Sequence, residues 1–323
     1  MARNIARAAK LYLVIAVLLC RLPAAKSQLG VGSPPKLFLP GLVSTGLNER
    51  DMAISPDGKD MYYTIQAPRL SFSTIVHRVY INNKWANAEI AFFSGQYADL
   101  EPAFSPDGKR LFFVSNRPLV GDSGTKDYDI WYVEKNSSGW GTPVNAGPEV
   151  NSSDNEFYPS ITTDGSVYFT AVRPDTLGQE DIYKSKWAGN KFMRPENIGP
   201  VVNSRNDEFN AFVDPLERYI IFSVEGDAEG YIGRGDLYIS YRPKDGNWGK
   251  PVNLGPAINT NRLDYCPFVH NGILYFTSER VEPVYKKNGA KLSFGEVINK
   301  LNWAGNGFGD IWVIPVNEIL NLK

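Results

Sequence analysis

Asp99-Leu-Glu-Pro-Ala-Phe-Ser-Pro-Asp-Gly-Lys-Arg-Leu-Phe-Phe-Val-Ser-Asn-Arg117 is the stretch on which the rest of the chain is patterned. It reads as two short strands joined by a tight turn. Pro102-Ala-Phe-Ser105 and Leu111-Phe-Phe-Val114 supply the strands. Asp107-Gly108 supplies the turn, because Gly accepts positive φ and an Asp side chain bonds its own backbone.

Outward from this stretch the pattern recurs five times. Each copy opens on a carboxylate (Glu49, Asp99, Glu156, Glu208, Asp264), at intervals of 50, 57, 52 and 56 residues. The turns are Pro56-Asp-Gly58, Pro106-Asp-Gly108, Thr163-Asp-Gly165, a degenerate Asp214-Pro-Leu-Glu217, and His270-Asn-Gly272. A third strand opens at Asp129-Ile-Trp, Asp181-Ile-Tyr, Asp236-Leu-Tyr and Asp310-Ile-Trp, with His77-Arg-Val-Tyr in the first copy. Asn145-Ala-Gly-Pro-Glu-Val-Asn151, Asn197-Ile-Gly-Pro-Val-Val-Asn203 and Asn253-Leu-Gly-Pro-Ala-Ile-Asn259 mark an outer strand, weaker at Ile90-Ala-Phe-Phe-Ser94.

The spacing of that last marker closes the count. Ser94, Asn151, Asn203 and Asn259 each stand five residues before the next carboxylate, and the same step back from Glu49 reaches Ser44. Residues 38–44 therefore read as an orphan outer strand, while the last copy lacks one. The expectation is an all-β fold: a five-bladed β-propeller, rather than a six-bladed one, of four-stranded antiparallel blades. Its N-terminal strand closes the last blade and removes the exposed edges.

The Pro-Ala-Phe-Ser-Pro-Asp-Gly…Asp-Ile-Trp pattern resembles the TolB-type family of WD-like, Pro-Asp repeat β-propellers, over about residues 38–323. That family includes periplasmic scaffolds, propellers attached to envelope proteins, and propellers beside peptidase or polysaccharide-lyase domains. The resemblance implies the fold and an envelope setting, without naming one activity.

Residues 1–27 stand apart. Arg3, Arg7 and Lys10 precede an apolar run over 11–20, and Ala25 and Ser27 are small residues suited to cleavage. Ten apolar residues are too few to cross a bilayer, which takes roughly 20. The expectation is a cleaved secretory signal over 1–27, a linker over 28–37, and one propeller domain over 38–323. It places the protein in the periplasm or outside the cell, with no transmembrane segment in the mature chain. Lipidation at Cys20 is disfavoured because Leu19 stands where a small residue is needed. Cleavage removes five basic residues and no acid, leaving 29 Lys and Arg against 35 Asp and Glu. A mildly acidic chain argues against nucleic acid as a partner. Cys266 is then the one cysteine, so packing must supply the stability.

The inner-strand start, the second-strand end and the third-strand start share one end of each blade. That end also carries the long insertions 118–127, 174–180, 226–235 and 281–309. The candidate binding residues at this mouth are Glu49, Asp99, Glu156, Glu208, Asp264, Arg117, Arg173, Glu225, Arg280 and His77. Arg117, Arg173 and Arg280 are expected to pair with Asp129, Asp181 and Asp310. Repeats one and four, with Ala67 and Gly226 in the Arg place, are the first positions to inspect. A short helix is expected near 294–301, in a loop that plugs the channel, packs over the closure seam, or docks a partner.

Catalytic templates score poorly. The repeat pattern is expected to put the two histidines at opposite blade ends, and no Gly-x-Ser-x-Gly elbow, P-loop or His-Glu-x-x-His occurs. No catalytic residue, cofactor or metal is expected. Asp122-Ser-Gly-Thr-Lys-Asp127 is a poor calcium loop, and Arg234-Gly-Asp236 is explained by the repeat. The reading is an exported, monomeric, non-catalytic propeller that binds a protein or a cell-envelope glycan. The alternative is a glycan-active enzyme, a lyase or a hydrolase, using channel-mouth carboxylates.

Overall fold

Leu111, Phe112, Phe113 and Val114 are each at most 1% exposed, so this strand is buried on both faces. That is why its sequence is continuously apolar rather than alternating. The same holds for the second strand of each blade. The computed structural model that shows this describes residues 33–318 apart from 120, 122, 244–245 and 283–288. The segment read as a signal lies outside the described residues.

Five antiparallel sheets form a ring, a five-bladed β-propeller. From the axis outward, blade one is Glu49–Ile54, Asp60–Gln66, Ser73–Ile81 and Glu89–Ile90. Blade two is Asp99–Phe104, Arg110–Ser115, Asp129–Asn136 and Val144–Asn145. Blade three is Glu156–Ile161, Val167–Ala171, Asp181–Ser185 and Glu196–Asn197. Blade four is Asp207–Val213, Tyr219–Glu225, Asp236–Tyr241 and Val252–Asn253. Blade five is Asp264–His270, Ile273–Ser278, Asp310–Pro315 and, from the N-terminus, Lys36–Leu37. Apolar side chains fill the spaces between blades: Ile221, Leu237 and Ile239 of blade four meet Leu274, Phe276 and Trp312 of blade five. Burying such side chains is the main favourable term.

The ring closes as expected, with the closing strand slightly earlier in the chain. Lys36 and Leu37 pair with Val313 and Trp312, ahead of the segment 38–44. Ser44 does a different job. Its hydroxyl accepts from Ile311 N (3.2 Å) and donates to Ile311 O (3.0 Å). Asn151 clasps Ile130 in the same way, Asn203 clasps Ile182, and Asn259 clasps Leu237. The residue five places before the carboxylate thus takes over main-chain pairing beyond the end of a two-residue outer strand.

Each inner strand carries a register break, at 50–53, 100–103, 157–160, 209–212 and 265–268. At each break one non-glycine residue has positive φ: Asp51 (55°), Glu101 (58°), Tyr158 (52°), Asn210 (48°) and Cys266 (51°). Such bulges re-aim side chains, and here they occur at equivalent positions in all five blades.

Candidate functional site

The five repeat carboxylates lie at the loop-bearing end, with their side chains locked into the framework. All five are at most 2% exposed. Glu156 accepts from Ser152 N (3.0 Å), Glu208 from Ser204 N (2.7 Å), and Asp264 from Thr260 N (2.6 Å). Glu49 accepts from Thr45 N (3.1 Å), and Asp99 from Ser94 Oγ (2.8 Å). Each ties down the segment that enters its own blade from the preceding outer strand.

The arginines pair differently from the expected pattern. Arg117 meets Asp99 at 2.7 Å, Arg173 meets Glu156 at 3.3 Å, and Arg280 meets Asp264 at 3.1 Å. Each also donates to a main-chain carbonyl, of Phe93, Val150 or Ile258, and lies over ring faces such as Phe113 and Trp312. The third-strand aspartates instead anchor the insertions. Asp181 accepts from Leu177 N and Asn197 Nδ2, and Asp310 from Gly305 N. The reach of a guanidinium from the end of strand two back to strand one decides this geometry.

Blades one and four have no arginine at this place, and in all three glutamate blades burial is what moves the carboxyl. Burial raises the Glu49 carboxyl above the usual range and pushes Glu208 up to about 7. Burial also takes Glu156 to about 7, with Arg173 and Ser152 working against it. In blade four an arginine is sterically barred: Gly226 has φ +138°, and an added Cβ would lie 2.5 Å from Asn206 Oδ1. Glu225 beside it is exposed on the rim.

His77 does not reach this mouth. It pairs across the sheet with Tyr62, stacks on that ring at 4.3 Å, and meets Asp60 at 2.7 Å toward the turn-bearing end. The strand equivalent to Asp129–Asn136 begins at Ser73, so Thr74 and not His77 occupies the place of Asp129. A short loop between the second and third strands of blade one shifts the alignment by three residues.

The loop-side mouth opens instead onto a cavity of about 210 Å³. Arg50, Leu100, Phe157, Phe209 and Tyr265 line it, each the residue immediately after a repeat carboxylate. Strand alternation explains this: where the carboxylate faces the framework, its neighbour faces the axis. Gln66, Glu101, Tyr128, Thr170, Glu180, Asn210 and Leu263 complete the lining. None of the ten residues nominated from the sequence is part of it.

The floor is a buried polar network made by the bulge residues. Arg50 donates to Asp51 Oδ1 (2.7 Å), Glu101 Oε1 (2.8 Å) and Gln66 Oε1 (3.4 Å), and lies 5.1 Å from the centroid of the Tyr265 ring. Glu101 also accepts from Tyr158 N (2.6 Å) and Asn210 Nδ2 (3.3 Å). The Cys266 thiol is buried against Tyr158 and Tyr265 and donates to Asp51 Oδ1 (2.6 Å). Burial and the neighbouring Asp51 push Glu101 up to about 8, against the pull of Arg50. Burial and Asp207 push Glu180 up to about 7.

Below this floor lies a second cavity of about 280 Å³, opening on the turn-bearing face. Its walls include Pro102, Pro159, Pro267, Phe212 and Phe268, and Glu101 borders both cavities. Glu101 and the residues bonded to it are therefore the partition between the two cavities.

The 281–309 insertion forms the expected helix, Phe294–Leu301, capped by Ser293 and Glu296 in a reciprocal box. It sits on the closure seam. Asn306 Nδ2 donates to Gly46 O (3.2 Å), Gly309 N to Asn48 Oδ1 (2.8 Å), and Trp303 crosses Gly41, where an added Cβ would be 2.9 Å from its ring. No described residue of this insertion lines the channel cavity. Tyr285, Lys286 and Lys287 fall outside the described residues. Among the described residues no group of three or more His, Cys, Asp or Glu is arranged to hold a metal ion.

Fold and mouth together define a class: a five-bladed β-propeller with a polar, aromatic-walled channel pocket under its long loops. No protein-family model and no curated protein matches the chain. Among solved structures, BT0996 in its complex with RGII aligns over 92% of this chain and 93% of its own length, at 8% identity and TM-score 0.51. The α-L-arabinofuranosidase PaAbf62A from Podospora anserina, in complex with cellotriose, aligns over 89% of this chain and 96% of its own, at 15% identity and TM-score 0.45. A structure from a study of two prolyl endopeptidases aligns over 71% of this chain, at 10% identity and TM-score 0.41. This chain covers 37% of that protein's length. At such identities the likeness speaks to the fold alone.

Proposed function

We propose that this protein is an exported binding propeller of the TolB type, which holds a protein or a cell-envelope glycan at its loop-bearing mouth. One observation carries the reading. At that mouth the channel ends in a shaped cavity with aromatic walls and convergent polar groups, and the described part of the 281–309 insertion leaves it uncovered. Rigid scaffolds commonly carry binding on the loops of one face. The repeat pattern of the chain supports the family, and the apolar run over 11–20 supports export.

Catalysis on a glycan is the second reading. Glu101 and Glu180 line one cavity and hold their protons to about 8 and about 7, values suited to a general acid at neutral pH. Against it stands the engagement of Glu101, whose two oxygens already accept from Arg50, Asn210 and Tyr158.

The test is a pull-down from a native envelope run beside a glycan array. Saturable capture lost on truncating Tyr128 and Phe157 to Ala supports the binding reading. Specific glycan turnover that disappears in Glu101→Gln would overturn it in favour of the enzyme.

A further inference from the structure

The loop-side cavity contains more acid than base. Glu101 and Glu180 line it, and Asp51 stands directly behind its floor. The cation in its lining is Arg50, and that guanidinium is already shared between Asp51 and Glu101. Two carboxylate positions are left over. The Glu180 carboxyl has no hydrogen-bond or ion-pair partner among the described residues, and neither has Oδ2 of the buried Asp51.

The walls are as particular as the charges. Tyr128 and Phe157 stand together at 5.6 Å between ring centroids, inclined by 41°. Phe209 and Tyr265 line the other side. Aromatic faces beside an unpaired carboxylate form a site for an organic cation, attracted by ring quadrupole and counter-charge together. A neutral sugar would leave the charge imbalance untouched. An anionic one would face Glu180 with Arg50 already taken.

Resting on the proposal that this mouth binds a ligand, we infer that its pocket accepts an ammonium group on a short aliphatic or sugar stem. Glu180 is the counter-ion, and the Tyr128–Phe157 pair is the wall. A lysine side chain and an amino sugar offer this same chemistry.

The groups facing the two carboxyls fix the pH behaviour. Asp207 of blade four lies beside Glu180, its Oδ1 accepting from the Gln179 and Glu180 amides. Arg50 and Asp51 of blade one face Glu101, with Cys266 of blade five, Tyr158 and Glu180 of blade three, and Tyr128 of blade two nearby. Glu279, on the rim, is balanced by Arg234 and Arg262. With acid in excess, burial and mutual repulsion hold protons on Glu101 and Glu180 up to about 8 and about 7. An incoming cation favours the ionised forms and lowers both values. Binding then releases protons, and affinity rises with pH until the free-state carboxyls are themselves ionised, at about 8.

The experiment is isothermal titration of the full chain with four probes, in buffers of differing ionisation enthalpy, at pH 6.5 and 8. Nα-acetyl-lysine methylamide is compared with its norleucine counterpart, and glucosamine with N-acetylglucosamine. The expected result is saturation by at least one ammonium probe, silence from its neutral counterpart, and proton release at pH 6.5; for the lysine probe, whose amine stays charged throughout, binding is tighter at pH 8. Which ammonium probe binds assigns the source to peptide or to glycan. Glu180→Gln, with an unchanged thermal melt, is expected to weaken binding about tenfold to a hundredfold and to reduce the pH dependence. The inference is overturned if neutral and cationic members of a pair bind alike, if no proton is released, or if neither ammonium probe binds. Should pull-down or array capture persist in that last case, the binding mouth stands and only the ammonium assignment falls. Should capture fail too, both fall.

Discussion

Replacing Glu208 with Gln should make the protein more stable at alkaline pH. Glu208 is 2% exposed, accepts from the Ser204 amide and hydroxyl, and has no arginine because Gly226 occupies that place. Its carboxyl is pushed from 4.5 up to about 7, chiefly by burial. The sign follows from linkage. A carboxyl whose folded value exceeds its unfolded value favours folding below the unfolded value, and that contribution disappears as pH rises through the folded one. A shift of about 2.5 units at about 1.4 kcal/mol each gives roughly 3 kcal/mol between pH 4.5 and pH 8.5. Glutamine keeps the shape and one acceptor, while its amide donates to Ser204 Oγ and carries no charge to desolvate. Urea unfolding at half-unit pH steps is the assay. The variant and the parent should agree within about 1 kcal/mol near pH 4.5, with the variant ahead by about 2–3 kcal/mol at pH 8.5. Parallel stability curves across the range would show that Glu208 is not protonated in the fold, and the burial argument for the repeat glutamates would fail with it.

Four further outcomes follow from the same geometry. Arg117→Met should cost about 3–5 kcal/mol in guanidinium melts by leaving Asp99 buried and charged, and adding Asp99→Asn should recover much of it; equal losses in single and double variants would refute the clasp. Ser44→Ala removes both bonds to Ile311 at the closure seam and should cost about 1–3 kcal/mol, while deletion of residues 33–37 should abolish cooperative unfolding; a truncated chain melting like the parent would disprove closure by the N-terminal strand. Gly178→Ala should disrupt the loop anchored by Asp181, since an added Cβ would lie 1.7 Å from Asn206 O; limited proteolysis of 174–180 reads this directly, and an unchanged cleavage pattern would contradict it.

Sequence alone determined the blades. The turns, Asp-Gly in three of the five copies, the doubly buried second strands and the five-residue step from Asn or Ser to the next carboxylate are local chemistry repeated around the ring. Local chemistry needs no knowledge of the partner strand. The same repetition pointed away from the channel cavity. Glu49, Asp99, Glu156, Glu208 and Asp264 recur because the framework needs them, so the most regular positions proved the least accessible. His77 was misaligned because the loop before its strand is short, and loop length leaves no mark on strand periodicity. The site residues were legible only as the places where the repeat varies: Arg50 against Leu100, Phe157, Phe209 and Tyr265, and Asp51 against Glu101, Tyr158, Asn210 and Cys266. Which of those faces the axis depends on the inner-strand bulge, a main-chain feature that these dissimilar residues share. Much of their chemistry is set by neighbours distant in the chain, as when Arg50 reaches Glu101, 51 residues away, and Cys266, 216 residues away. Ring closure brings those side chains into one water-poor space, and only there do their charges and pKa values depend on one another.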